Sequence, residues 1–383
     1  MQSEITNLKI LLAANTDWYL HNFRSSLATR LLEQGCQVTL VSPPGKYTRE
    51  FERQGLRWIP WDLGRQSIAP WLEIGSLRQI FDIYRREKPD LVHHHTIKPV
   101  IYGTLAARLA GVPAIINSIT GRGYIFLGEE RKARSLKRLV KPLYRLAFST
   151  PRCGATFENE EDRQYFVTNR FIPVERTWLI EGVGVDPNKF TPQPEPPGDP
   201  VILLAARMLW DKGIGVLVEA ARLLKVDTAA RVVLVGEPDP GNPASVSQST
   251  LEKWHAAGII EWWGWRADMP ETYNQSHIVT LPTMYGEGVP TSLLEAAACG
   301  RPLVASDIPG CRQVVQDGHN GLLVPPNDPQ ALAAALKRLA GDAALRGRMG
   351  AASRQLVIQK FTHAQVNAAT LRVYQQVLGA KNT

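Results

Sequence analysis

Short, unbroken runs of Val, Ile and Leu recur along the chain, separated by longer stretches in which apolar residues return every three or four positions. Unbroken runs mark strands buried on both faces of a parallel sheet, and the stretches between them have the period of covering helices. The runs fall near residues 9–14, 37–42, 90–95, 114–119, 153–158 and 177–181, then near 201–206, 231–236, 259–263, 277–282, 302–306 and 321–324. The second set echoes the first. Ile10-Leu-Leu-Ala-Ala-Asn15 returns as Ile202-Leu-Leu-Ala-Ala-Arg207, and Val38-Thr-Leu-Val41 as Val232-Val-Leu-Val235, at offsets of 192 and 194 residues. The predicted fold class is α/β, with two doubly wound, Rossmann-like parallel-sheet domains.

A length of 383 residues fits two domains of about 190 each. Phe190 to Pro200 holds five prolines in eleven residues, the composition of a semi-rigid linker. The expected domains are therefore 1–190 and 200–363, with the last helix, 364–383, packing back on the first domain. Two such domains facing across a cleft place the carboxyl ends of both sheets at its walls, where open α/β sheets bind ligands.

Composition narrows the setting. No run of 18 apolar residues is present, the first nine residues lack a signal-peptide pattern, and Cys36, Cys153, Cys299 and Cys311 are scattered without ligand spacing. A reduced, cytoplasmic compartment without structural zinc is expected. The charge is uneven: residues 1–192 carry 27 Lys+Arg against 19 Asp+Glu, while the remainder balances at 17 against 17. A basic first half suits an anionic partner, such as a membrane surface or a phosphorylated substrate.

The candidate chemistry lies at predicted strand ends. Tyr285-Gly-Glu-Gly-Val-Pro-Thr-Ser292 joins a strand to a helix starting near Pro290 or Thr291. A helix start offers free amides and a positive dipole end, which suit a diphosphate, and Gly286 and Gly288 allow close approach. Glu287 precedes the helix and Glu295 lies inside it; the bland alternative is a capped helix with two solvated glutamates. Arg207 and Lys212 follow the first strand of the second half, where paired cations can neutralise a leaving diphosphate. No Asp-x-Asp occurs, so no metal or other cofactor is expected to hold that diphosphate.

Glu287-x7-Glu295, with Arg207-x4-Lys212-Gly213 upstream, resembles the retaining GT-B glycosyltransferases of glycosyltransferase family four. The likeness extends over Gly182–Phe190, Gly264–Pro270, Ile308–Val315 and Asn320–Pro325. Ser118-Ile-Thr-Gly-Arg-Gly-Tyr-Ile-Phe126 is similar to bacterial members that glycosylate undecaprenyl-diphosphate-linked saccharides. The resemblance implies a GT-B fold and transfer of a hexose or N-acetylhexosamine from a UDP-sugar to such a lipid-linked acceptor. It implies that Arg207 and Lys212 hold the donor diphosphate, with the amides of Thr291 and Ser292 assisting. Gly288, Val289 and Pro290 complete that loop, Glu287 meets the transferred sugar, Glu295 the ribose, and Trp265 and Arg266 the base. Where many members carry a histidine after the fourth strand of the first domain, this chain has Thr120.

In the first half, strand alternation puts His93 and His95 on one side and His94 on the other. His95 is a candidate contact for donor or acceptor, or else a cleft-wall histidine. Asn15, Thr16 and Asp17 follow the first strand without the G-x-G-x-x-G of a dinucleotide site. With Thr120 and Arg122 they form a candidate acceptor pocket, Asp17 serving as cap or hydroxyl ligand. Residues 131–147 read as a basic amphipathic helix, with Arg134, Arg138, Lys141 and Arg145 on one stripe and Leu136, Leu139, Val140, Leu143 and Leu146 opposite. Such a helix suits an anionic membrane, giving a peripheral protein on the inner face of the plasma membrane. The competing readings are an ordinary surface helix, a soluble acceptor, a nucleotide-sugar epimerase and a basic nucleic-acid-binding protein. The last leaves the Arg207–Glu295 constellation unexplained, and no nucleic-acid module is present.

Overall fold

A computed structural model describes residues 5–64, 70–121, 131–284 and 286–379, apart from the side chains at 70, 131–136 and 139. The chain forms two compact units, one of residues up to Val183 with those from His363 onward, the other of Gly184–Thr362.

In the first unit the strands are β1 (Lys9–Ala13), β2 (Gln37–Ser42), β3 (Arg57–Pro60), β4 (Leu91–His95), β5 (Ala114–Ile119), β6 (Cys153–Phe157) and β7 (Thr177–Leu179). They lie parallel in the order β3-β2-β1-β4-β5-β6-β7. Period-two alternation divides β1 between two cores. Leu11 and Ala13 pack with Ile80, Tyr84 and Tyr144, whereas Ile10 and Leu12 pack with Leu20, Leu27 and Tyr374. The sequence pattern misses β3, an edge strand whose Arg57-Trp-Ile-Pro60 has no aliphatic run.

The helix His363–Gly379 belongs to this unit. It buries Val366, Leu371 and Tyr374, and Asn367 Nδ2 donates to Ser26 Oγ at 2.9 Å. The helix Arg131–Phe148 runs through Pro142, and its buried face follows the expected apolar stripe only in part, with Leu143 packing against the core. Val140, Tyr144 and Phe148 enter the core, drawn by the large apolar area of Phe166 and Phe171, while Leu146 is 52% exposed. Lys141 Nζ and Arg145 Nη2 turn to Asn169, at 3.1 and 3.3 Å; Arg138 is exposed. The side chains of Arg134, Leu136 and Leu139 lie outside the described residues.

The second unit holds β8 (Val201–Ala205), β9 (Arg231–Val235), β10 (Glu261–Gly264), β11 (Ile278–Leu281), β12 (Leu303–Ser306) and β13 (Gly321–Val324), in the parallel order β10-β9-β8-β11-β12-β13. Here too each face of the sheet has its own core, one with the helices Ile214–Asp227 and Pro329–Ala340, the other with Thr291–Ala298 and Ala343–Lys360. The proline-rich segment, expected as a semi-rigid linker, is held against this unit. Phe190 is buried in this unit, Arg354 Nη1 donates to Phe190 O at 2.7 Å, Arg301 Nη2 to Gln193 O at 2.9 Å, and buried Arg346 pairs with Glu195 at 2.7 Å. Among the described residues no helix is long and apolar enough to cross a membrane.

Candidate active site

The strand order sets where each unit can hold a ligand. In the second unit the helix after β8, Ile214–Asp227, covers one face and the helix after β11, Thr291–Ala298, the other. Neighbouring strands whose following helices diverge open a crevice at their carboxyl ends, the topological switch point. The loops leaving β8 and β11 carry Arg207, Lys212 and Glu287 into that crevice.

The two loops are fastened together. Met284 N donates to Asp211 O at 2.9 Å, and Thr283 Oγ1 lies 3.0 Å from Asp211 O and 3.1 Å from Glu287 Oε1. Lys212 Nζ pairs with Glu287 Oε1, both side chains being largely buried. Gly213, at φ +74°, passes so close to the β11 loop that a Cβ there would lie 1.8 Å from Pro282 O. Gly310 does the same on the other side, where a Cβ would stand 1.7 Å from Gly288 O. Neither contact tolerates a side chain, so glycine at both positions lets the Glu287 loop sit against its neighbours.

Arg207 is half exposed and its Nη1 meets Asp239 Oδ2 at 2.8 Å, in the loop after β9. Trp265 and Arg266 follow β10; Trp265 is 55% exposed and Arg266 stacks over Trp263, 5.4 Å from the ring centroid. Because β10, β9, β8 and β11 are consecutive, an aromatic, an Asp–Arg pair and a Lys–Glu pair line one sheet edge over roughly 14 Å, three strand spacings. Behind the edge, Gly288, Val289 and Pro290 are buried and lead to Thr291 and Ser292, at a helix start without a side-chain cap. Glu295, inside that helix, is not brought to Glu287. It accepts a hydrogen bond from Tyr273 OH at 2.9 Å, and burial pushes its pKa up to about 7 against the pull of Tyr273 and Lys189. Asp239 and Tyr273 are site neighbours that the sequence pattern does not reveal, since their only signal is position just beyond β9 and within the helix after β10.

The first unit repeats the geometry with other residues. The helix after β1, Asp17–Glu33, and the turns after β4 lie on opposite faces, so the crevice opens beside Asn15–Asp17 and His95. Thr16 is the helix cap, its Oγ1 accepting from Tyr19 N at 3.1 Å. Both oxygens of buried Asp17 are spent on backbone, accepting from Trp18 N at 2.8 Å and Tyr47 N at 2.7 Å. Asn15 is half-buried beside them. Thr120, also half-buried, hydrogen-bonds Tyr19 OH; Arg122 lies outside the described residues. All three histidines of β4 are buried, with His93 and His95 on one side, ring centroids 4.1 Å apart, and His94 on the other against Tyr84. Among the described residues no three His, Cys, Asp or Glu side chains are grouped to hold a metal ion.

Comparison with known proteins gives the geometry a context. Residues 199–342 match the family described as Glycosyl transferases group 1, and residues 9–153 match Glycosyl transferase 4-like. The chain is 27% identical over 372 residues to the N,N'-diacetylbacillosaminyl-diphospho-undecaprenol alpha-1,3-N-acetylgalactosaminyltransferase of Campylobacter jejuni, covering 94% of this chain and 96% of that one. It is 28% identical over 295 residues to the UDP-Gal:alpha-D-GlcNAc-diphosphoundecaprenol alpha-1,3-galactosyltransferase of Escherichia coli, covering 73% and 74%. In fold it is similar to a glycosyltransferase of Rickettsia africae, with a TM-score of 0.79 at 20% identity over 97% of this chain and 99% of that one. It is similar also to Anabaena HepE, solved in complex with UDP, with a TM-score of 0.76 at 18% identity over 96% and 100%.

Proposed function

This chain belongs to the group 1 glycosyltransferases, a retaining, metal-independent family of the GT-B fold, and from that membership we propose the roles of its residues and the class of its substrates. The donor is a UDP-sugar held by the second unit. Its diphosphate lies against Arg207 and Lys212 and the amides of Thr291 and Ser292, its base near Trp265 and Arg266, and its ribose at Glu295. Glu287, bridged to Lys212, meets the hydroxyls of the transferred sugar. As the bond from C1 to the diphosphate oxygen breaks, negative charge grows on that oxygen, and two fixed cations stabilise it without reorganising. The acceptor hydroxyl attacks from the face the diphosphate leaves, so configuration is kept and the first unit's task is orientation.

The Lys212–Glu287 pair at the switch point carries this reading, because it sets a cation and a carboxylate side by side in the crevice. The acceptor is a saccharide on a lipid diphosphate, the substrate type for which the Campylobacter and Escherichia relatives are named. Work on such a substrate fits a peripheral position on the cytoplasmic face of a membrane, touched by the basic first unit. The test is direct. Purified protein is first screened by thermal shift against UDP-sugars, since a ligand at a hundred times its Kd stabilises by about 2.7 kcal/mol. The stabilising donor is then offered with a polyprenyl-diphosphate-linked saccharide and with the same saccharide free. Transfer to the lipid-linked form is expected; preference for the free saccharide would favour a soluble acceptor.

A further inference from the structure

The three histidines of β4 differ in how much of their hydrogen-bonding capacity is spent. His94 uses both nitrogens, Nδ1 donating to Asn117 Oδ1 at 2.9 Å and Nε2 accepting from Tyr84 OH at 2.8 Å. His93 also uses both, with Tyr374 OH at 2.6 Å and Ser118 Oγ at 2.7 Å. His95 uses one. Arg24 Nε donates to its Nδ1 at 3.2 Å, while its buried Nε2 has no partner among the described residues. A guanidinium has no acceptor, so Nδ1 must supply the lone pair and the proton of the neutral ring sits on Nε2.

Other features gather at the same strand end. Thr96, the next residue, sits at φ +70°, a region a β-branched side chain enters only under strain, and such strain concentrates at ligand sites. Its Oγ1 is a second buried polar atom without a partner among the described residues. One turn of π-helix, Pro99–Gly103, follows, a form frequent at functional sites. Arg24 itself is only 7% exposed, and among the described residues it bonds His95, Tyr19 OH and Phe23 O but no carboxylate.

We infer that Arg24 is a positioning residue that fixes His95 as its Nε2–H tautomer, so that this unspent donor and the Thr96 hydroxyl receive an oxygen of the substrate at the carboxyl end of β4. The groups facing His95 support a neutral ring. They are Arg24 and Tyr19 from the helix after β1, His93 and His94 from its own strand, and Tyr374 against His93; Glu158 acts on Tyr19 from beyond β6. Burial, Arg24 and the neighbouring histidines hold the His95 pKa well below its ordinary value. The tautomer follows from hydrogen bonding alone; only the identity of the oxygen rests on the transferase reading.

Nitrogen-15 NMR on the whole protein, labelled at histidine, reads the tautomer without a substrate. A protonated Nε2 and a bare Nδ1 are expected on His95 near neutral pH, and an Nδ1–H ring overturns the inference. Kinetics with the donor and acceptor found above then test the role. His95→Gln keeps a side-chain N–H near the position of Nε2 and should hold kcat within about threefold, whereas His95→Phe should lower it about tenfold, the order of one lost hydrogen bond. Donor KM should not move in either. Arg24→Met should lower kcat similarly, and Arg24→Lys should restore part of it. Wild-type kcat in both His95→Phe and Arg24→Met would sink the inference. If wild-type protein transfers no sugar, the transferase reading fails and the tautomer decides this one by itself.

Discussion

The two sheets share a strand order and a sequence echo, yet their switch points carry opposite chemistry. At an offset of 192 residues Asn15 of the first unit corresponds to Arg207 of the second. The first crevice presents Asn15 and buried His95, its charged neighbours Asp17 and Arg24 being spent on backbone amides and on His95 and Tyr19; the second presents a half-exposed arginine and a Lys–Glu pair. Topology makes the crevice and the side chains at the strand ends give it a task. Charge suits a departing diphosphate, whereas neutral donors can orient a hydroxyl without repelling or trapping it.

The comparison is broken most strongly at Lys212. Lys212→Ala should keep the melting temperature within a few degrees yet lower turnover by about 10²–10³, the range for removing one group that stabilises transition-state charge. EDTA should leave wild-type turnover standing. Normal turnover in a folded Lys212→Ala protein would show that the charged crevice is not where the diphosphate departs.

Acid should separate the units next. Burial lowers the pKa of His93 and His95 well below 6.5 and that of His94 to about 4. The unfolded chain then binds protons that the folded one refuses, so this contribution to stability is complete above pH 6.5 and shrinks as pH falls towards 4. The slope reaches about 1.4 kcal/mol per pH unit for each histidine. Hydrogen exchange at pH 5 should show the first unit opening more readily than at pH 7, relative to the second; equal protection at both pH values contradicts this. Glu295 runs the other way. Its carboxyl is protonated in the free protein below about pH 7, so if the ribose is held by the carboxylate, UDP affinity should fall up to about tenfold per pH unit on acidification. Calorimetric titration of wild type and Glu295→Gln checks it, the variant being flat.

The smallest effect concerns the membrane. Lys141 and Arg145 turn to Asn169, and Arg138 stands exposed on the same stripe. Arg138→Gln should weaken binding to anionic vesicles by about 1 kcal/mol at low salt and by less at high salt. Equal pelleting of variant and wild type at low salt would leave the helix an ordinary surface.

What was legible in the sequence was what neighbours in sequence decide. Aliphatic runs give twelve strands, the repeat gives two doubly wound sheets, and motif spacing collects the residues of the second crevice. What was illegible depends on distant partners. The proline-rich segment looks like a tether until Arg301, Arg346 and Arg354, more than a hundred residues later, clip it to the second unit. Leu146 of the helix Arg131–Phe148 looks like part of a buried stripe, yet it is exposed while Tyr144 and Phe148 pack with Phe166 and Phe171. Arg24 looks like any helix arginine, since only the pairing of β1 with β4 brings it to His95.

The return of the C-terminal helix to the first unit has a consequence for biosynthesis. His93 shares a hydrogen bond with Tyr374, 281 residues further on, so a ribosome must make the whole second unit before this partner exists. The second unit, continuous from Gly184 to Thr362, can close as soon as it emerges. The first unit, begun earlier, stays open along the face of Leu20, Leu27 and Ile10 until Val366, Leu371 and Tyr374 arrive. The half synthesised first is therefore the half completed last, and throughout that interval it is the part of the nascent chain most in need of a chaperone.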